Sequence, residues 1–262
     1  MITININPVA FSVGPFSVHW YGIMYIVGII VGLIVTWPYA RTKNFTEEQL
    51  EKIIYWGLPA GLIGARLYYV VQQPLGPYIT QPWRILAFWE GGMAFYGAIF
   101  AIILTILILA PRLNISTWDL LDSMSIFAVV GQFFGRIGNM INGDVIGYAT
   151  SLPWGVVYAN PGSLAPRHDI AYQPAAAYEA FINIILFSVL WKLRNRVKPG
   201  ILFFLYIFGY SLGQIIVFFW RDNVVILFGL KQAQLTAVAV IFVAAVMFLR
   251  RIKQGQITQD KD

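Results

Sequence analysis

Two arginines stand inside stretches that are otherwise apolar: Arg66 in GLIGARLYYVV and Arg136 in GQFFGRIGNMINGDVIG. An ionisable side chain within a bilayer costs several kcal/mol unless it is paired, hydrated or able to snorkel, so each is a candidate for function. Arg136 has the richer surroundings. Between Gly135 and Gly147, Arg136, Asn139, Asn142 and Asp144 are interleaved with glycines. Helical spacing places Arg136, Asn139 and Gly143 on one face. A guanidinium offers a planar fork of donors that fits phosphate oxygens, and the Asn amides add neutral donors. The glycines let a lipid headgroup or another helix approach the backbone. The cluster therefore points to a phospholipid-headgroup site, weighed against a glycine-mediated helix contact in which Arg136 pairs with Asp144. Arg66 sits near the outer end of its apolar stretch, where it could snorkel or pair with Glu90. His19 and His168 are distant in sequence and there is no cysteine. These residues indicate neither a metal site nor a cofactor, and any thiol in the chemistry must come from a substrate.

Such residues make sense only in a membrane, and the composition supplies one. Hydrophobic residues make up 58% of the 262-residue chain and charged residues 11%, with a mean hydropathy of +0.68, against a usual charged share of about 25%. A water-facing surface cannot be covered with so few charges. Apolar runs at about 16–38, 53–73, 88–110, 119–141, 174–191, 200–220 and 233–250 each approach the length that crosses a bilayer. The reading is an all-α polytopic membrane protein of about seven transmembrane helices, with residues 1–262 as a single integral membrane domain.

Charge placement orients it. Twelve Lys and Arg fall in connections on one side and four on the other, with Arg66 and Arg136 inside spans. The positive-inside rule then puts the N-terminus outside and the C-terminus in the cytoplasm. The basic excess is thus a matter of topology and lipid, with no nucleic-acid partner implied. The first fifteen residues lack a charged n-region and a small-residue cleavage site, so the first helix is expected to stay. Thr46 and Gln49 resemble a capping box that opens the second helix. Pro111 and Pro199-Gly200 mark helix ends. Residues 143–173, rich in Gly, Pro, Ser and Asn, form the longest connection and read as a small extracytoplasmic head or loop. Ile2, Ile4 and Ile6 alternate with polar residues before a Gly14-Pro15 turn, which suggests strand near the N-terminus.

The run Gly135-Arg136-Ile137-Gly138-Asn139, continued by Asn142-Gly143-Asp144 and Gly147, resembles the signature of the bacterial prolipoprotein diacylglyceryl transferases. Further likeness follows in order along the chain, in Val13-Gly14-Pro15 and His19 to Tyr25, Gly64 to Tyr69, Trp89 to Gly97, and Pro174 with Tyr178-Glu179. The resemblance implies an inner-membrane enzyme that moves a diacylglyceryl group from phosphatidylglycerol to the thiol of a lipobox cysteine in a prolipoprotein signal peptide, releasing glycerol phosphate. By that likeness Arg136 binds the phosphate and stabilises charge developing on it. Asn139, Asn142 and Asp144 orient the headgroup, Gly147 shapes the loop beyond, and Arg66 belongs to the substrate-binding set.

The chain departs from the family pattern at several places. Tyr96 stands where the family usually has His, and Tyr is a poorer base, with a reference pKa near 10. Tyr96 and Tyr21 are then the candidates to hydrogen-bond the thiol or headgroup. Gln214 stands in place of a second Arg and Phe218 in place of an acid, while Arg221 is retained. Losing an Arg and an acid together avoids leaving one buried charge unpaired. These departures keep a second function open, a phospholipid-binding protein of the same fold without transferase activity. A transporter fits less well, because no internal repeat is visible.

Overall fold

The chain opens on strands. β1 (Ile2–Ile4), β2 (Val9–Val13) and β3 (Phe16–His19) precede the first long helix, α1 (Trp20–Thr42). The computed structural model describes residues 1–14, 16–87 and 92–259. α2 (Glu47–Val71), a short α3 (Gly76–Thr80) and a 3-10 turn (Pro82–Leu86) lead to α4 (Phe95–Arg112) and α5 (Thr117–Asn142). After β4 (Val156–Tyr158) and β5 (Ala171–Tyr172) come α6 (Ala175–Leu193), α7 (Ile201–Val217), β6 (Val225–Leu227), β7 (Leu230–Lys231) and α8 (Gln232–Gln259).

α1, α4, α5, α6 and residues Gln232–Ile252 of α8 are long and apolar enough to cross a membrane. α7 is apolar but has 17 residues, about 26 Å at 1.5 Å per residue. The hydropathy of α2 is diluted by Glu47, Glu48, Glu51, Lys52, Pro59 and Arg66, with Trp56 and several Gly and Tyr. The protein is therefore a helical membrane protein. On α1, Ile26, Ile30 and Ile34 form an exposed stripe at four-residue spacing, the face that suits lipid rather than water. Thr46 caps α2 as expected: its Oγ1 accepts from Gln49 N–H at 3.2 Å while Gln49 Oε1 accepts from Thr46 N–H at 2.9 Å.

Two compact units are distinguished, Met1–Trp37 with Met124–Asp262, and Pro38–Ser123, and α1 and α5 run through both. In the second unit α2 packs on α4 through glycine. A Cβ at Gly64 would strike Gly97 O and one at Gly97 would strike Gly64 O, the close approach that small residues permit between helices. In the first unit the N-terminal strand expected around Ile2 pairs in parallel with β4, which pairs antiparallel with β5, and β2 pairs with β3 around Gly14 at φ 58°. Val156, Tyr158, Ala165 and Tyr172 form a small core beneath this sheet, backed by Ile4, Ile146 and Ile170. A second cluster, Val145, Ala175, Ala176 and Val217, joins the loop after α5 to α6 and α7. That cluster fixes the three helices whose polar residues converge.

Candidate functional site

Arg136 lies six residues before the end of α5 and its side chain is 18% exposed. Its Nη1 donates to Asn139 Oδ1 at 2.9 Å, one turn onward as helical spacing requires. Its Nη2 is 2.6 Å from Glu179 Oε2. Asn139 is buried and passes the contact outward, its Nδ2 donating to Asp144 Oδ1 and Oδ2 at 3.1 and 3.2 Å. Asp144 is exposed. The partner of Arg136 is thus Glu179 of α6, not Asp144, which is reached through Asn139. Gly143 takes φ 76°, where a side chain is disfavoured, and its N–H closes α5 on Asn139 O at 2.8 Å. Asn142 contributes its backbone, with its carbonyl accepting from Leu164 N–H at 2.9 Å.

Glu179 is the hub. Only 3% exposed, it also accepts from Gln214 Nε2 of α7 at 3.0 Å and faces Arg221 Nη1 at 3.4 Å. Gln214 thereby supplies a neutral donor that satisfies the carboxylate. Phe218 lies under Arg221, with the guanidinium carbon 4.6 Å from the ring centroid, a cation–π contact. Gly147 forms a bridge with Arg221, and a Cβ there would strike Trp220 O. Lys231 is also buried; its Nζ donates to Phe218 O at 2.6 Å and to Arg221 O, and lies 4.8 Å from the Tyr148 ring centroid. Tyr21 packs against α5, where a Cβ at Gly138 would meet Tyr21 Cα at 3.1 Å, and its hydroxyl is 3.0 Å from that of Tyr25.

Arg66 and Tyr96 belong to the second unit. Arg66 is 2% exposed and donates from Nε to Ile85 O at 3.1 Å, from Nη1 to Gly92 O at 3.2 Å and from Nη2 to Arg84 O at 2.7 Å. It gathers the backbone between α3 and α4 around one cation. Glu90, the expected partner, lies outside the described residues. Tyr96 is 7% exposed at the start of α4 and its ring stacks on Phe100 with centroids 6.1 Å apart. His168 Nδ1 sits 2.9 Å from Tyr158 O and 3.3 Å from Ser163 Oγ, a loop-bracing position. Among the described residues no group of three or more His, Asp or Glu could hold a metal ion.

Among the described residues, the side chains linked to Arg136 bring two guanidinium groups, Arg136 and Arg221, to the one buried carboxylate of Glu179, with Asp144 exposed at the edge and the buried Lys231 held nearby on the carbonyls of Phe218 and Arg221. The cluster carries a positive surplus in a buried place. Among the described residues two of the five guanidinium N–H groups of Arg136 are directed at Asn139 and Glu179. This geometry suits an anion.

The family model for prolipoprotein diacylglyceryl transferase matches residues 8–250. The chain belongs to that family. Proteins named phosphatidylglycerol–prolipoprotein diacylglyceryl transferase share 34% identity with it in Rhizobium leguminosarum bv. trifolii, over 83% of this chain and 80% of the relative. The one from Wolbachia pipientis wMel is 34% identical over 83% of each chain, and that from Coxiella burnetii 35% over 74% of each.

Sequence reasoning found Arg136, Asn139 and Asp144, and the structure links them. It read Glu179 only as part of a motif and Lys231 only as a topological charge. A lone acid inside the apolar run 174–191 was the available signal for Glu179.

Proposed function

We propose that the protein transfers a diacylglyceryl group from phosphatidylglycerol to the lipobox cysteine of a prolipoprotein in the bacterial inner membrane. The peptide sulfur attacks the glycerol carbon that carries the phosphate. The new C–S bond forms as the C–O bond to phosphate breaks, glycerol phosphate leaves with the electron pair, and the thiol proton passes to water. The observation that carries this reading is the buried positive surplus around Arg136, which matches a phosphodiester and gains strength as charge grows on the departing phosphate. Asn139, Asn142 and Asp144 orient the headgroup, and Gly147 keeps the loop close to Arg221. Tyr96 and Tyr21 hydrogen-bond the incoming thiol or headgroup. Arg66 contributes to substrate binding through the backbone segment it holds.

Seven spans serve this chemistry in our reading, with α2 and α7 crossing beside the five long apolar helices. Residues 143–173, with the N-terminal strands, form the extracytoplasmic head, and the C-terminus is cytoplasmic, as the Lys and Arg distribution favours. Arg136→Ala tests the phosphate role. Glycerol phosphate release from phosphatidylglycerol vesicles containing a lipobox peptide should fall by about 10²–10³-fold, with helix content retained by circular dichroism. Turnover near that of the parent protein would refute it.

A further inference from the structure

One turn before Arg136 on α5, Gln132 is 8% exposed, and among the described residues neither end of its amide has a hydrogen-bond partner. An unpaired buried amide is costly, and most costly in a bilayer, where water cannot replace the partner. A ligand that completes such a group removes that cost. Gln132 and Arg136 are four residues apart, so they share a face and are separated by about 6 Å along the helix axis. On one side α1 packs here, since a Cβ at Gly28 would lie 3.3 Å from Gly131 Cα and O. A Cβ at Gly131 would meet nothing within 4 Å, and one at Gly135 would meet only Tyr25 Cζ at 3.9 Å. At Gly138 α1 again lies close on α5, with Tyr21 Cα 3.1 Å from such a Cβ.

A glycerophospholipid whose phosphate rests on Arg136 carries its acyl ester carbonyls a comparable distance away, toward the membrane interior. We propose that Gln132 is an acyl-ester subsite, in which Nε2–H donates to an ester carbonyl of the lipid bound at Arg136. The inference rests on the diacylglyceryl-transfer reading for the identity of that lipid. Its chemical consequence is selection for ester-linked over ether-linked lipid, because an ether oxygen is a weak acceptor and offers no carbonyl. It also gives the transferred group a hold that is independent of the departing phosphate.

Gln132→Met is close in volume and cannot make the hydrogen bond. Retention of diester and diether phosphatidylglycerol of matched chains by the purified protein is measured by native mass spectrometry, alongside transfer kinetics to a lipobox peptide. The parent protein should hold the diester about three- to tenfold more tightly. Gln132→Met should abolish that preference by weakening the diester alone. The thermal midpoint of the lipid-free variant should be unchanged or raised, since no internal bond is lost. Equal weakening for both lipids, or an unchanged preference, overturns the proposal. So does a raised KM for the peptide with lipid binding untouched, which would assign Gln132 to the preprotein. The binding measurement needs no turnover: an ester preference that depends on Gln132, found without thioether formation, would support the subsite and count against the transfer reading alone.

Discussion

Glu179 accepts from Arg136, Gln214 and Arg221 in a site that is almost closed to solvent. Its removal leaves two guanidinium groups facing one another without their shared anion, an arrangement that typically costs about 3–5 kcal/mol when buried. Glu179→Gln should therefore lower the unfolding midpoint in detergent more than Arg136→Ala, which leaves Glu179 bonded to Gln214 and Arg221. The reverse order would show that Glu179 is not the hub. Tyr96 bears on pH dependence. Without an imidazole at that position, the pH–rate profile should lack a step near the His reference value of about 6.5, and Tyr96→His should introduce one in a variant that stays active. An unchanged profile in an active Tyr96→His variant would remove position 96 from proton handling. Arg136 and Asn139 were legible in the sequence because a bilayer penalises them and helical spacing pairs them. Their wider network was not, since Glu179, Gln214 and Arg221 come from other helices and no local spacing encodes which helix faces meet.

At the scale of elements, the helices were the most legible part, because apolar length, proline and the Thr46–Gln49 cap each act locally. The pairing of β1 with β4 was not, since it joins Ile2–Ile4 to Val156–Tyr158 across most of the chain. The hairpin of β6 and β7 was hidden for another reason: it turns through Phe228 and Gly229, both at positive φ, within an apolar stretch that carries no polar turn cluster. Tyr158 offers a test of the sheet. Burial, aided by the negative charge of Asp144, pushes its hydroxyl up to about 12. The neutral form is thus favoured by folding. Its contribution is complete below the unfolded value of about 10 and is lost as pH rises through about 12. Tyrosinate difference spectra of the parent protein minus Tyr158→Phe should place this group above the exposed tyrosines, with hydrogen exchange over residues 156–172 rising in the same alkaline range. A titration near 10 would mean that the sheet does not shield it.

For the molecule as a whole, scarcity of charge identified a membrane protein, and the distribution of the remaining cations divides into two functions. Most Lys and Arg flank the apolar runs and orient the chain. Arg136, Arg221 and Lys231 instead gather, with Arg136 and Arg221 sharing Glu179, and make one buried region positive. The division into two compact units joined by α1 and α5 was invisible in the sequence, because each helix continues through the boundary as one element. The central claim is that this buried cation cluster serves diacylglyceryl transfer to a thiol. The most direct measurement is mass spectrometry of a lipobox peptide incubated with the purified protein and phosphatidylglycerol. The expected result is a peptide heavier by one diacylglyceryl group in thioether linkage at cysteine, absent when that cysteine is serine. Unmodified peptide, under conditions in which the Rhizobium leguminosarum relative modifies it, would contradict the claim.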